Sequence, residues 1–230
     1  MIKAIVFDLD DTLYPEKAFR ESGFAAVSRH LKEIGFLIEP REISNAYNKH
    51  NKNCFDALIL QYKLPVDVSY LVSFYRNHYP NINVYPGVHR VLSRLKEKYA
   101  LGMITDYFCQ SQMNKIEALG LSKYFNAVIY TDQLDAPKPL GKSFLAIKNK
   151  LDVEDNAIMY IGDNEAKDFI GARSSGFITV RYNNARGFYS KIRLEKKYRA
   201  DFEITNHSQI FSILNILERK SKKLSNKSFS

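Results

Sequence analysis

Three carboxylates fall within four positions near the start of the chain, in Asp8-Leu9-Asp10-Asp11, directly after the apolar run Ile2, Ala4, Ile5, Val6 and Phe7. Aspartates at that density repel one another, and only a cation, a shared proton or strong hydrogen bonds make them tolerable. Asp8 and Asp10, two apart, can both be aimed into one crevice where the chain leaves a strand. The β-branched run before them reads as a strand buried on both faces, as in a parallel sheet. The carboxyl ends of such strands are where open α/β sheets place ligands. An acidic turn or helix cap explains the same residues without any chemistry. The other strand ends therefore decide.

Those ends carry polar residues too. The short apolar run Leu101–Ile104 stops at Thr105-Asp106, and Ala127–Tyr130 is followed by Ala136-Pro137-Lys138-Pro139. Ala157–Ile161 runs into Gly162-Asp163-Asn164-Glu165-Ala166-Lys167-Asp168, and Phe177–Arg181 and Phe202–Ile204 read as two further strands. Helical patterns separate them, with apolar faces at Val88, Val91, Leu92 and Leu95, at Met113, Ile116 and Leu119, at 143–150, and at Ile210–Leu217. This alternation predicts an α/β fold, a mainly parallel sheet covered on both faces. Singly, each polar strand end is ordinary: Thr105-Asp106 a helix cap, Lys138 an exposed lysine, Gly162-Asp163 a turn. Parallel strands bring all of them to one edge, and their joint occurrence is what points to a site.

Residues 16 to about 79 differ in character. Phe19, Phe24, Val27, Leu31 and Ile34 recur at helical spacing, Gly35 suits a stop, and Phe55, Leu58, Ile59 and Tyr62 make another stripe. The segment reads as helices inserted after the first strand. Its histidines His30, His50 and His78 lack metal-ligand spacing.

Composition narrows the class. The 230 residues are 45% hydrophobic, ample for a core, with no apolar run of about 18 residues to span a membrane. The first apolar stretch is too short for a secretory signal, and Cys54 and Cys109 make neither a disulfide framework nor a metal cluster, so a cytoplasmic location is expected. The net charge of +9 is concentrated: the last thirteen residues hold five Lys/Arg against one acid, or +4, leaving +5 for the rest. No nucleic-acid motif accompanies it. A solvated, disordered basic tail over 218–230 and a positive field drawing in an anionic substrate account for it better.

Taken together, F-D-L-D-D-T, I-T-D, P-K-P and I-G-D-N-E-A-K-D resemble, in order and spacing, the haloacid dehalogenase superfamily of phosphohydrolases. The likeness covers residues 1 to about 182, and the helical insert falls where that family's small α-helical (C1-type) cap sits. It implies a Rossmann-like three-layer core at 1–15 and 80–217, a cap at 16–79, Mg²⁺, and a covalent aspartyl-phosphate intermediate. By the same resemblance Asp8 is the nucleophile, and Asp10 is general acid and then general base. Asp8, Asp163 and the Asp10 carbonyl would hold Mg²⁺, with Asp168 auxiliary, while Thr105, Asp106 and Lys138 bind the phosphoryl group. Two positions depart from the family pattern: Tyr107 where relatives often have glycine, and Gly141 where a second proline is common. Lys17, Arg20 and Tyr107 are the candidates for substrate selection. The expected activity is hydrolysis of a small phosphorylated metabolite: a sugar phosphate, an acylneuraminate phosphate or a nucleoside monophosphate. A phosphotransferase of the phosphoglucomutase type shares every core residue, and a non-catalytic regulatory protein on the same fold is the alternative from another class.

Overall fold

In chain order, strand β1 (Ala4–Phe7) precedes four helices, α1 (Glu16–Glu33), α2 (Pro40–His50), α3 (Cys54–Tyr62) and α4 (Val68–Asn77). An alternating run follows: α5 (Val88–Lys96), β2 (Ala100–Thr105), α6 (Cys109–Ala118), β3 (Ala127–Tyr130), α7 (Thr131–Leu134) and α8 (Gly141–Leu151). The chain closes with β4 (Ile158–Gly162), α9 (Phe169–Ser174), β5 (Ile178–Tyr182), β6 (Phe202–Ile204) and α10 (Ile210–Lys227). The structure, a computed structural model, describes residues 1–154 and 156–227, those after 221 by backbone alone.

All six strands form one parallel sheet in the order β3-β2-β1-β4-β5-β6, with helices on both faces. β1 is central, its Ala4 paired with Ala100 on one side and Ile158 on the other. Every residue of β1 is buried, which explains its unbroken apolar run. The order reverses at β1, so the crevice beyond the carboxyl ends of β1 and β4 is the topological switch point. Under the sheet, Val6, Ile104, Ile129, Phe144, Ile147, Tyr160, Phe169 and Phe177 form one apolar cluster. Strand positions agree with the sequence pattern to within a residue or two.

The chain divides into two compact units. One comprises Met1–Pro15, Val84–Cys109 and Leu121–Ser230; the other comprises Glu16–Asn83 and Gln110–Gly120. The second is helical, with its own core of Phe24, Val27, Leu31, Ile43, Phe55, Leu58 and Leu71. Residues 110–120 join it because Ser111 Oγ donates to the Arg76 carbonyl at 2.6 Å and the Lys115 ammonium lies 4.2 Å over the Phe19 ring. Ile34, expected on the apolar face of α1, is instead exposed, since the helix ends at Glu33 and Gly35 turns the chain at φ +94°.

Two further differences concern the first unit. The four-residue α7 has no apolar periodicity to announce it. The closing helix runs to Lys227, ten residues past its expected end at Leu217, so 218–227 is helical rather than a loose tail, and 228–230 lie outside the described residues. Glu218, Arg219 and Lys220 are good helix formers, and nothing in that stretch breaks the turn. Among the described residues no helix is long and apolar enough to cross a membrane.

Candidate active site

Beyond β1 the chain makes a tight loop. Leu13 N donates to the Leu9 carbonyl at 2.9 Å, Asp10 and Tyr14 form an isolated bridge, and Asp11 takes φ +53°. Inside that loop the Thr12 hydroxyl donates to Asp8 Oδ2 at 3.1 Å, and the buried Tyr14 hydroxyl donates to Asp10 Oδ1. His207 Nε2 donates to the Thr12 carbonyl at 2.8 Å, tying the loop to the segment just ahead of α10. Burial of the His207 ring depresses its pKa to about 4.

Asp8, Asp163 and Asp168 each bring a carboxylate oxygen within 4.8 Å of the others, and all three are buried. One ammonium enters this cluster. Lys138 Nζ lies 2.5 Å from Asp8 Oδ1, 2.9 Å from Asp168 Oδ1 and 3.2 Å from the Tyr160 hydroxyl. One positive charge against three negative ones leaves the cluster frustrated. Burial raises the Asp8 pKa to about 7, with Asp168 and Asp10 adding to the rise and Lys138 opposing it. Burial likewise pushes Asp163 well up, helped by Asp168, Asp8 and Asp11. For Lys138 burial works against the charge, yet Asp168 and Asp8 outweigh it and hold the ammonium more strongly protonated than usual. Three convergent, buried, oxygen-only donors with unbalanced charge suit a hard divalent cation.

Asp168 is committed on both oxygens. Oδ1 accepts from Lys138 and from the Tyr160 hydroxyl at 3.0 Å, and Oδ2 accepts from Asn164 N at 2.8 Å. The carboxylate folds back so closely over Gly162 that any Cβ there would collide with it. Glycine at that position is therefore a packing requirement.

Thr105 ends β2, fully buried. Its neighbour Asp106 has both side-chain oxygens engaged. Oδ1 accepts from the Lys138 backbone N at 3.1 Å and the Thr131 hydroxyl at 2.9 Å, and Oδ2 faces Lys167 Nζ at 3.2 Å. Burial alone would raise its pKa, but Lys138, Lys167 and these donors outweigh it and hold Asp106 below the ordinary carboxylate range. Such a carboxylate braces the Lys138 loop; it would repel a phosphate, so only its backbone N–H is suited to contact one. Tyr107 sits at φ +74° and is 59% exposed, with its ring centre 5.0 Å from the Lys167 ammonium. A positive φ of this kind is one that glycine adopts without steric cost. The Lys138–Pro139 bond is a cis peptide. Lys17 and Arg20 belong to the helical unit, where Lys17 pairs with Glu21 at 3.4 Å and Arg20 lies 4.7 Å over the Tyr47 ring.

Several contributors escaped the sequence pattern. Tyr14, Thr12, Tyr160 and His207 act on the site through pairings up to 195 residues apart. Thr12, inside the D-L-D-D-T phrase, and Tyr14, four residues after Asp10, had a local signal; Tyr160 and His207 had none.

Comparison with known proteins agrees with this geometry. The haloacid dehalogenase-like hydrolase family model matches residues 5–181. The chain is 27% identical to a glyceraldehyde 3-phosphate phosphatase of Methanopyrus kandleri over 95% of its own length and 100% of the relative's. It is 29% identical to the protein of the same name from Pyrococcus furiosus, over 93% of each. Among solved structures, a HAD-hydrolase, YfnB of Bacillus subtilis, crystallised with magnesium, superposes with a TM-score of 0.72 at 17% identity, covering 93% of this chain and 99% of that one. With its motif residues gathered at the switch point of a parallel sheet, the chain belongs to the haloacid dehalogenase-like hydrolase family.

Proposed function

We propose that this protein is a Mg²⁺-dependent phosphomonoesterase of a small phosphorylated metabolite, working through an aspartyl-phosphate formed on Asp8. The observation that carries the reading is the buried cluster of Asp8, Asp163 and Asp168 around Lys138 at the end of β1. The two relatives named glyceraldehyde 3-phosphate phosphatase favour a short sugar phosphate among the substrate classes.

Asp8, Asp163 and the Asp10 carbonyl would hold Mg²⁺, with Asp168 supporting the loop from behind. When bound, the ion supplies charge that lets an anionic phosphate approach these acids and withdraws electron density from its oxygens. Asp8 attacks phosphorus in line, forming the acyl–phosphate bond as the ester P–O bond breaks. The attacking oxygen must be ionised. Lys138 at 2.5 Å favours that form, and the Thr12 hydroxyl at 3.1 Å fixes the other oxygen. Asp10, held by Tyr14, gives its proton to the departing oxygen and then takes one from the water that hydrolyses the intermediate. Thr105, the Asp106 backbone N–H and Lys138 steady the phosphoryl oxygens. We assign substrate selection to the helical segment 16–79, Lys17 and Arg20 included, and to Tyr107.

The test is phosphate release from a panel of esters, glyceraldehyde 3-phosphate included, with Mg²⁺ and with excess chelator. Turnover should require the metal and should vanish in Asp8→Asn. Full activity in chelator would overturn the metal assignment, and appreciable activity in Asp8→Asn would overturn the nucleophile.

A further inference from the structure

Between β5 and β6 the chain crosses from Asn183 to Asp201 with only one short helical turn, at Lys196–Tyr198. A single buried ion pair gathers this segment. Arg181, at the end of β5, is 2% exposed and is the largest fully buried side chain of those described; Glu165, in the loop after β4, is 3% exposed. Arg181 Nη1 donates to Glu165 Oε1 at 2.5 Å, while Nη2 donates to the carbonyls of Tyr189 at 2.6 Å and Ile192 at 3.2 Å. The second carboxylate oxygen, Glu165 Oε2, accepts from Leu194 N at 2.6 Å. Two side chains thus fix three backbone points of the segment 189–194.

Glu165 lies two residues after Asp163, so the same pair also fixes the loop that carries the acidic cluster. A narrow cleft is lined by Asp11 and Asp163 together with Arg181, Asn183 and Gly187. Phe188 N points to Asp11 Oδ2 at 3.5 Å. Arg181 and Asp163 thus line the same cleft, and the guanidinium charge is tolerable there because Glu165 balances it. Without Glu165 the cleft would hold an uncompensated buried cation beside a cation-binding acid. A second positive group, Arg193 Nη1, stands 3.9 Å from Glu165 Oε1 and is itself paired with Glu203.

We propose that Glu165 and Arg181 are positioning residues for the metal site: as a neutral pair they hold segment 187–194 against the Asp11–Asp163 side and thereby set affinity for Mg²⁺. The inference rests on the metal reading given above. It separates two roles that a purely structural pair would not, because its charge balance has a sign. Glu165→Gln keeps the shape and the Leu194 acceptor but unmasks Arg181, so Mg²⁺ should bind on the order of tenfold more weakly. Glu165→Gln combined with Arg181→Met removes both charges and should recover the share of affinity lost to the unpaired cation, while the share that depends on Arg181 holding the Tyr189 and Ile192 carbonyls stays lost. Coupling is reciprocal, so Mg²⁺ must in turn steady the segment.

The experiment titrates Mg²⁺ alone into the full-length protein and its variants by calorimetry, without substrate. In parallel it follows amide hydrogen exchange of the parent protein with and without Mg²⁺. Support requires weakened binding in folded Glu165→Gln, partial recovery in the double variant, and extra protection of the 187–194 amides beyond any gained by β6. Unchanged affinity in Glu165→Gln overturns the inference alone. Should that variant not fold, the exchange measurement decides, and no selective protection of 187–194 overturns it. A parent protein that does not bind Mg²⁺ overturns the metal reading and this inference with it, whereas Asp163→Asn losing Mg²⁺ while Glu165→Gln keeps it separates the two.

Discussion

Asp8 and Asp10 stand two positions apart and meet different surroundings, and their proposed roles divide accordingly. Asp8 is buried against Lys138 and two more acids; Asp10 is half-buried and turned toward Tyr14. Asp10→Asn removes a proton donor while leaving attack feasible. Its loss of rate should be large, on the order of 10²–10⁴-fold, for an alkyl phosphate. It should shrink several-fold for nitrophenyl phosphate, whose leaving group needs no proton. Equal losses with both esters would deny Asp10 the acid role. The acidic cluster also makes a pH prediction for the metal-free protein. Asp8 is raised from 3.8 to about 7 on folding, so between those values the folded state holds the extra proton. The contribution of Asp8 to stability is therefore fully present at acid pH and is lost as pH rises through about 7, against the opposite trend set by His207, and Mg²⁺ should remove that slope. Urea unfolding of His207→Gln, which lacks the opposing imidazole titration, at pH 5 and pH 8, with and without Mg²⁺, measures it; a metal-free variant no weaker at pH 8 would contradict the buried-charge account.

At the scale of elements, what holds Lys138 in place is the approach of α9 to the turn that follows it. A Cβ built on Gly171 would run into the Pro139 carbonyl and the Phe144 ring. The backbone cannot yield as a flexible side chain would. Gly171→Ala should cost about 1–3 kcal/mol of stability and lower turnover as well, because relief of the clash moves the residue next to Lys138. A loss of melting temperature with turnover per folded molecule intact would show the turn to be more tolerant than its packing suggests. Elements of this kind were legible in the sequence to different degrees. β1 and β4 announced themselves as apolar runs that stop at aspartates, because full burial on both faces leaves no room for a polar residue until the strand ends. α7 did not, since one helical turn is too short for a period. Nor did the allegiance of residues 110–120 to the helical unit, which depends on Ser111 meeting the Arg76 carbonyl. Asp8, Lys138, Asp163 and Asp168 could be anticipated as one cluster from topology alone. Tyr160 beneath Lys138 could not, because a tyrosine inside a strand reads as core until the partner of its hydroxyl is seen.

For the molecule as a whole, acid tolerance hangs on one imidazole. His207 keeps its proton off until about pH 4, whereas an unfolded histidine titrates near 6.5. The unfolded chain therefore binds the proton first as pH falls. Stability contributed by the neutral ring is intact above about 6.5 and drains away toward 4, by about 3 kcal/mol in total. His207→Gln keeps a donor for the Thr12 carbonyl without a titrating group, so it should flatten this acid limb while lowering the plateau through lost packing against Tyr182, 4.2 Å away between ring centres. A variant as acid-sensitive as the parent would shift the explanation to the carboxylates.

The central position of β1 has a consequence for the order of events during synthesis. Of the strands in this sheet, the earliest to leave the ribosome is the one that needs neighbours on both edges, yet these begin only at Ala100 and Ile158. Until the latter emerges, Ala-Ile-Val-Phe presents a bare, uncharged backbone edge, the kind that recruits other chains. The helices of 16–83 carry their own core and can collapse in the meantime, without waiting for the sheet. A fragment ending at Leu151 should accordingly be found in the insoluble fraction, and one extended through Tyr182 in the supernatant.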